Sequence, residues 1–501
     1  MFNAQIGRSA GPRSFRFHPA WLLIPAGLAG AVMIGLFLGY FQSPRLALFL
    51  LAAAAGIIWI AAVVMRPEWA LIFYTLFAVN LNSVDISFGG VRLSPDIVLM
   101  SLLLVGTLLR ILIDRKPVGG LPISVPYLIF LAVPIVTLIW TPVKLESIKG
   151  IFRFVGYYAL VWLIVDTIRT RVQVRRMVLA LVVSALIPIL IGFFQAATGG
   201  GQIIWAGAVF NRIYGLAGGP FTLAYYLVLI IPLLLVLFLA ERGEDTDQLG
   251  DCSDVSWWFS RPLLFALMLA AVVALVLTFI RGAWIAMVAS LLVLGLLEKK
   301  ARFRQLLFSI PLVAGVALVA FAPLLNRVTQ VSESDSTLFG RLDVWRFATE
   351  WITSNPLSLL GGLGMKAFEN YYILQAGPAS GGLYWRREKF LVGNRPHNEI
   401  LGFMLDVGLI GTLAFIATLV VLVIVGFRVY RKAPDRMLRL LGLAFLISTV
   451  GMFVGAMGDN VFSQPTVAVY FWIMAGLVMA IDRYMLPEDQ DPAPGSLTGD
   501  P

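Results

Sequence analysis

The stretch PFTLAYYLVLIIPLLLVLFLA, residues 220–240, contains no charged residue and is followed at once by the acidic, polar ERGEDTDQLGDCSDVSWW, 241–258. A helix of that length is enough to cross the roughly 30 Å of hydrocarbon in a bilayer. The pattern repeats along the chain, which is 59% hydrophobic and 13% charged, with mean hydropathy +0.88. Soluble domains are closer to about 45–50% apolar and 25% charged. These values predict an all-α, polytopic integral membrane protein.

Working outward from 220–240, apolar runs predict about fourteen transmembrane helices. They lie near 20–40, 45–65, 68–82, 96–113, 123–140, 151–167, 176–197, 220–240, 262–279, 282–297, 306–325, 398–427, 437–456 and 464–485. The first run is too long for the apolar core of a cleavable signal and has no clear cleavage site. Basic residues set the orientation: RILIDRK (110–116), DTIRTRVQVRR (166–176), EKKARFR (298–304) and FRVYRKAPDRMLR (427–439) all fall on the side of the N-terminal arginines. The positive-inside rule therefore predicts cytoplasmic N- and C-termini. The same bias explains the net charge of +10 without a nucleic-acid partner.

The expected organisation is a cytoplasmic N-terminus (1–19), helices 1–11 (20–325) interrupted by an acidic cytoplasmic insert (241–261), and one large periplasmic loop (326–397). Helices 12–14 (398–485) and a disordered cytoplasmic tail (486–501) complete it. A loop of about seventy residues is too long for a plain connection and suggests a functional element. Within it, RLDVWRFATEWI predicts an amphipathic helix with Leu342, Trp345, Thr349 and Ile352 on one face, lying at the membrane interface. NPL (355–357) ends that helix, and GGLG (361–364) supplies a backbone able to bend or approach a ligand closely.

The predicted topology gathers unusual polar residues on the external face. His397, one of only two histidines, heads the twelfth span in NRPHNEILGFMLDVGLIG (394–411). Arg281 sits between two apolar runs in LTFIRGAW, where a cation needs an anionic partner or water. Arg212 in NRIYGLAGGP, Arg341 in GRLDVW and Arg395 join the same side, with Lys149 and Arg153 as a further contribution. His18 and Cys252 read as incidental. A single cysteine excludes an intrachain disulfide, and two distant histidines exclude an all-protein zinc site, so no metal is expected. There is no GxxxxGK[ST], no GxGxxG in a βαβ setting and no GxSxG. Asp166, Asp459 and Asp482 lie near span ends, so the span centres are almost free of acids. This argues mildly against a proton-driven transporter, the competing non-enzymatic reading. On a helix beginning at 397, Asp406 falls opposite His397 and Glu399 about 200° away, so an orienting partner for the histidine has to come from another segment. A histidine base beside forked guanidinium donors suits a hydroxyl attacking a carbon whose leaving group is a lipid-linked diphosphate.

RPHNEILGFMLDVGLIG (395–411), LTFIRGAW (277–284), GRLDVW (340–345) and NPLSLLGGLG (355–364), with NRIYGLAGGPFTLAYYL (211–227), resemble the O-antigen ligase and O-antigen polymerase superfamily over about 205–425. The chain departs from the family pattern at Ile280, where Ser is frequent, and at Asp406, where Glu is frequent. The resemblance implies metal- and cofactor-independent glycosyl transfer from an undecaprenyl-diphosphate-linked glycan to an acceptor saccharide. It assigns His397 as base and Arg281, Arg212, Arg341 and Arg395 to the diphosphate. It further implies a bacterial inner-membrane enzyme with a periplasmic site, in contact with membrane lipid and with a chain-length regulator or other polysaccharide-assembly proteins. The span count favours a polymerase over a ligase that transfers to lipid A core.

Overall fold

The computed structural model describes residues 44–81, 86–88, 91–93, 95–115, 120–199, 202–205, 208–239, 260–297, 336–353, 355–368 and 396–487. The spans expected at 20–40 and 306–325, the insert up to residue 259, the tail from residue 488, His18, Cys252 and Arg395 lie outside these residues. Among the described residues the chain is helical apart from two short hairpins. The helices are α1 (Pro44–Met65), α2 (Pro67–Phe77), α3 (Pro95–Asp114), α4 (Ser124–Thr137), α5 (Lys144–Thr167), α6 (Arg171–Ser184), α7 (Leu186–Thr198) and α8 (Pro220–Leu239). They continue as α9 (Arg261–Leu277), α10 (Arg281–Leu297), α11 (Ser336–Thr353), α12 (Pro356–Gly361), α13 (Glu399–Lys432), α14 (Arg436–Ala456) and α15 (Pro465–Tyr484). The hairpins pair β1 (Ile86–Phe88) with β2 (Val91–Leu93) and β3 (Gln202–Trp205) with β4 (Ala208–Asn211), each pair joined by two residues that include glycine.

Among the described residues six segments are long and apolar enough to span a membrane: α5, α6 with α7, α8, α13, α14 and α15; shorter apolar helices include α4, α9 and α10. Two expected continuous spans are broken. The run at 176–197 divides into α6 and α7 at Ala185, three residues before Pro188, whose ring cannot sit inside a regular helix without cost. The run at 398–427 contains Gly408 at φ +62°, ψ −169°, so α13 is two helical halves. The span at 68–82 is also shorter than expected, since α2 covers only Pro67–Phe77 before a turn.

Lipid-embedded helices associate through close packing because lipid tails are as apolar as the side chains, and small residues set how near the backbones come. α8 and α15 are the most enclosed spans, with buried aromatic rings in the first half of each. α14 packs against both α8 and α10 through Gly451 and Gly455, one turn apart. A Cβ at Gly455 would lie 2.3 Å from the Tyr225 ring, and one at Gly451 would lie 2.2 Å from Ser290 Oγ. Phe130, Phe154, Phe403, Phe415 and Phe462 form a continuous aromatic cluster under the first half of α13.

The break in α13 is filled by protein. Leu363 N donates to Leu405 O (2.8 Å) and Gly364 N to Asp406 O (3.0 Å), so the GGLG segment satisfies carbonyls that the interrupted helix leaves free. A Cβ on Gly408 would approach Leu360 O to 2.5 Å. The close backbone approach expected of GGLG is therefore made to α13. The loop helix α11 buries Val344, Ala348 and Ile352 against Leu405 and Phe368, whereas Leu342 and Thr349 are exposed. Its buried face is thus rotated from the predicted one, because the docking partner is α13.

Candidate active site

His397 immediately precedes the N-cap of α13, where the Asn398 side chain accepts from Leu401 N (3.1 Å). Its own φ is +48°, a left-handed conformation that is costly for a residue bearing a Cβ. Two contacts hold it there. Trp345 of α11 donates from Nε1 to the carbonyl of the preceding Pro396 (2.6 Å). On the other side, His397 Nδ1 lies 2.9 Å from Asp459 Oδ1.

Asp459 comes from the α14–α15 connection, 62 residues away in sequence. Its side chain is 7% exposed, against 39% for His397. The carboxylate is thus withdrawn behind an imidazole that solvent or substrate can reach. The second oxygen, Oδ2, accepts from Tyr225 Oη of α8 at 3.3 Å. Gly282 of α10 fits into the same junction, since a Cβ there would meet Tyr225 Oη at 2.8 Å and Asp459 Oδ2 at 3.4 Å. The tautomer that donates Nδ1–H to the buried carboxylate leaves the lone pair on Nε2, the arrangement a general base requires.

A second carboxylate holds the Asp459 connection in place. Glu399 is 1% exposed and accepts from Phe462 N (2.8 Å), Ser463 N (3.4 Å) and Ser463 Oγ. A carboxylate this deep is tolerated only when its lone pairs are filled. Here they tie the connection to the first turn of α13, two residues beyond His397.

Arg281 is the exposed first residue of α10, next to Gly282, and so lies beside the Asp459 junction. Arg212 follows β4 directly. Its neighbour Ile213 donates from N to Leu277 O at the end of α9 (3.3 Å), which brings the Arg212 loop to the α9–α10 corner where Arg281 begins. Gln195 braces that loop by accepting from Tyr214 N and Gly215 N (3.0 and 2.9 Å). Arg341 lies on α11, the helix that Trp345 ties to Pro396. Thus His397, Arg281 and Arg212 come to one end of the bundle. Among the described residues no cluster of metal ligands occurs. Asp459, Glu399 and Tyr225 were not assigned roles from the sequence. The one available signal was the carboxylate in MGDN (457–460), which opens a short connection on the predicted face of His397.

Residues 265–416 match the family model described as O-Antigen ligase. The match runs from α9 into the second half of α13, narrower than the 205–425 expected, and takes in Arg281 and His397 but neither Tyr225 nor Asp459. It bears out the resemblance to the O-antigen ligase and polymerase superfamily and supports a glycosyl-transfer enzyme of that type. A comparison with curated proteins gave no match.

Proposed function

We propose that the chain is a membrane glycosyltransferase that polymerises undecaprenyl-diphosphate-linked repeat units at the periplasmic face of the bacterial inner membrane. The observation that carries this reading is the His397–Asp459 pair, a reachable imidazole backed by a buried carboxylate and set beside Arg281. The acceptor hydroxyl gives its proton to His397 Nε2 as its oxygen bonds to the anomeric carbon of the donor. The bond from that carbon to the diphosphate breaks, and the carrier leaves as undecaprenyl diphosphate. Arg281, with Arg212, Arg341 and Arg395, offsets the charge that grows on the departing oxygen, work that fixed cations do without a metal. Asp459 keeps the imidazole in the tautomer that presents Nε2 and stabilises the imidazolium once formed.

The proposed orientation follows from charge. Arg110, Arg169, Arg171, Arg176, Arg428, Arg431 and Arg436 mark the opposite end of the bundle, which by the positive-inside rule is cytoplasmic. His397→Ala and Arg281→Ala test the reading in cells where both proteins still insert. Accumulation of single lipid-linked repeat units is the expected result. Long chains retained on the carrier instead point to a ligase that transfers to lipid A core. Normal polymer and normal ligation in both variants exclude enzymatic transfer at this site and leave a transporter.

A further inference from the structure

Arg153 lies nine residues after the start of α5, in the apolar run that opens at Ile151. One turn earlier, Lys149 has its own partner, with Nζ 2.6 Å from Glu146 Oε1. Arg153 is half-buried and makes no hydrogen bond or ion pair among the described residues. A cation at that depth is expensive unless an anion or a wet cleft receives it. The cleft is present. Arg153 lines it together with Lys366, Asp406, Asn460 and Pro396, between α5 and the first half of α13.

Two of those residues are chain neighbours of the proposed chemistry, Pro396 preceding His397 and Asn460 following Asp459. No residue of α8 or α10 lines the cleft, so it is separate from the corner of Arg281 and Arg212. Ser147 Oγ donates to Met365 O (2.9 Å), which docks the 362–368 segment on α5 and brings Lys366 to the rim. Lys366 itself adopts φ +59°. Arg153 offers the cleft a forked guanidinium, which matches phosphate oxygens. The beginning of an apolar run is also the depth at which lipid phosphates lie.

We propose that the Arg153 cleft is a second polyprenyl-diphosphate site, which holds the carrier of the acceptor while the Arg281 corner holds that of the donor. This rests on the glycosyltransferase reading above and deepens it: both substrates are lipid diphosphates, with His397 between them, as polymerisation requires and transfer to a core sugar does not. The acceptor saccharide then reaches from Arg153 to His397.

Native mass spectrometry of the purified full chain, titrated with undecaprenyl diphosphate, tests the assignment by stoichiometry. The wild type and Arg153→Lys should bind two molecules. Arg153→Gln and Arg281→Gln should each lose one by weakening it roughly tenfold or more, and the double variant should lose both. His397→Ala should still bind two. Two molecules bound equally well by Arg153→Gln and the wild type, or one by the wild type, would overturn the proposal. Displacement of the second molecule by phosphatidylglycerol at comparable concentration would overturn it too, as a site for bulk lipid. If His397→Ala retains full transfer while Arg153→Gln loses a molecule, the catalytic reading fails and the second site stands.

Discussion

The two ends of the bundle are both charged, and they use charge differently. At the end of the α5–α6 turn, cations meet carboxylates of the same chain. Arg110 and Arg169 share Asp166 (3.2 and 2.9 Å), Arg176 pairs with Glu68 (2.9 Å), and Arg428 with Asp482 (2.7 Å). At the other end, Asp459 is engaged by a histidine and a tyrosine, Glu399 by backbone and a serine, and Arg153 by nothing among the described residues. Paired charges stabilise a helix boundary at little net energy. Carboxylates that hold a histidine and the connection behind it distinguish the end at which transfer is proposed.

The contrast can be broken at several points. The largest effect is expected from Gly408→Ala, which combines a φ of +62° with a Cβ placed 2.5 Å from Leu360 O. It should destabilise the protein by ~3 kcal/mol or more, seen as a fall in thermal midpoint in detergent, and detach the GGLG segment from α13. Glu399→Gln comes next. It keeps the shape of the side chain but weakens the hold on the Asp459 connection, so kcat should fall about tenfold with little change in KM. A change in KM alone would contradict its positioning role. Asp166→Asn, at the opposite end, leaves Arg110 only the more distant Asp114 carboxylate (3.7 Å) and should cost ~1 kcal/mol of stability, yet transfer per folded molecule should match the wild type. If transfer instead falls as steeply as with Glu399→Gln, the distinction between the two ends is wrong. Tyr225→Phe removes one hydrogen bond to Asp459 and should reduce kcat only by about threefold to tenfold.

Hydropathy made most of the helices legible, because a span must be apolar over a length that the bilayer dictates. Ten of the expected runs coincide closely with α1, α3, α4, α5, α8, α9, α10, α13, α14 and α15, although α5 begins seven residues early, in the polar KLESIKG. Interruptions were not legible. Gly408 sits in an apolar run that reads as helix, and its left-handed backbone depends on Leu360 and Gly362, residues brought there by the loop. The site was half legible. His397 stood out by rarity, and helical arithmetic removed Asp406 and Glu399 as direct partners, which the geometry bears out. Asp459 could not be paired with it, since the contact joins the beginning of one span to the end of the next and only their packing makes it.

The central claim is that His397 acts as a base because Asp459 orients it. Purified protein reconstituted with lipid-linked saccharides, followed by release of undecaprenyl diphosphate, tests this most directly. In Asp459→Asn, transfer should fall by ~10²–10⁴, while the thermal midpoint and the binding of undecaprenyl diphosphate stay close to wild type. An Asp459→Asn protein that turns over at the wild-type rate would contradict the account.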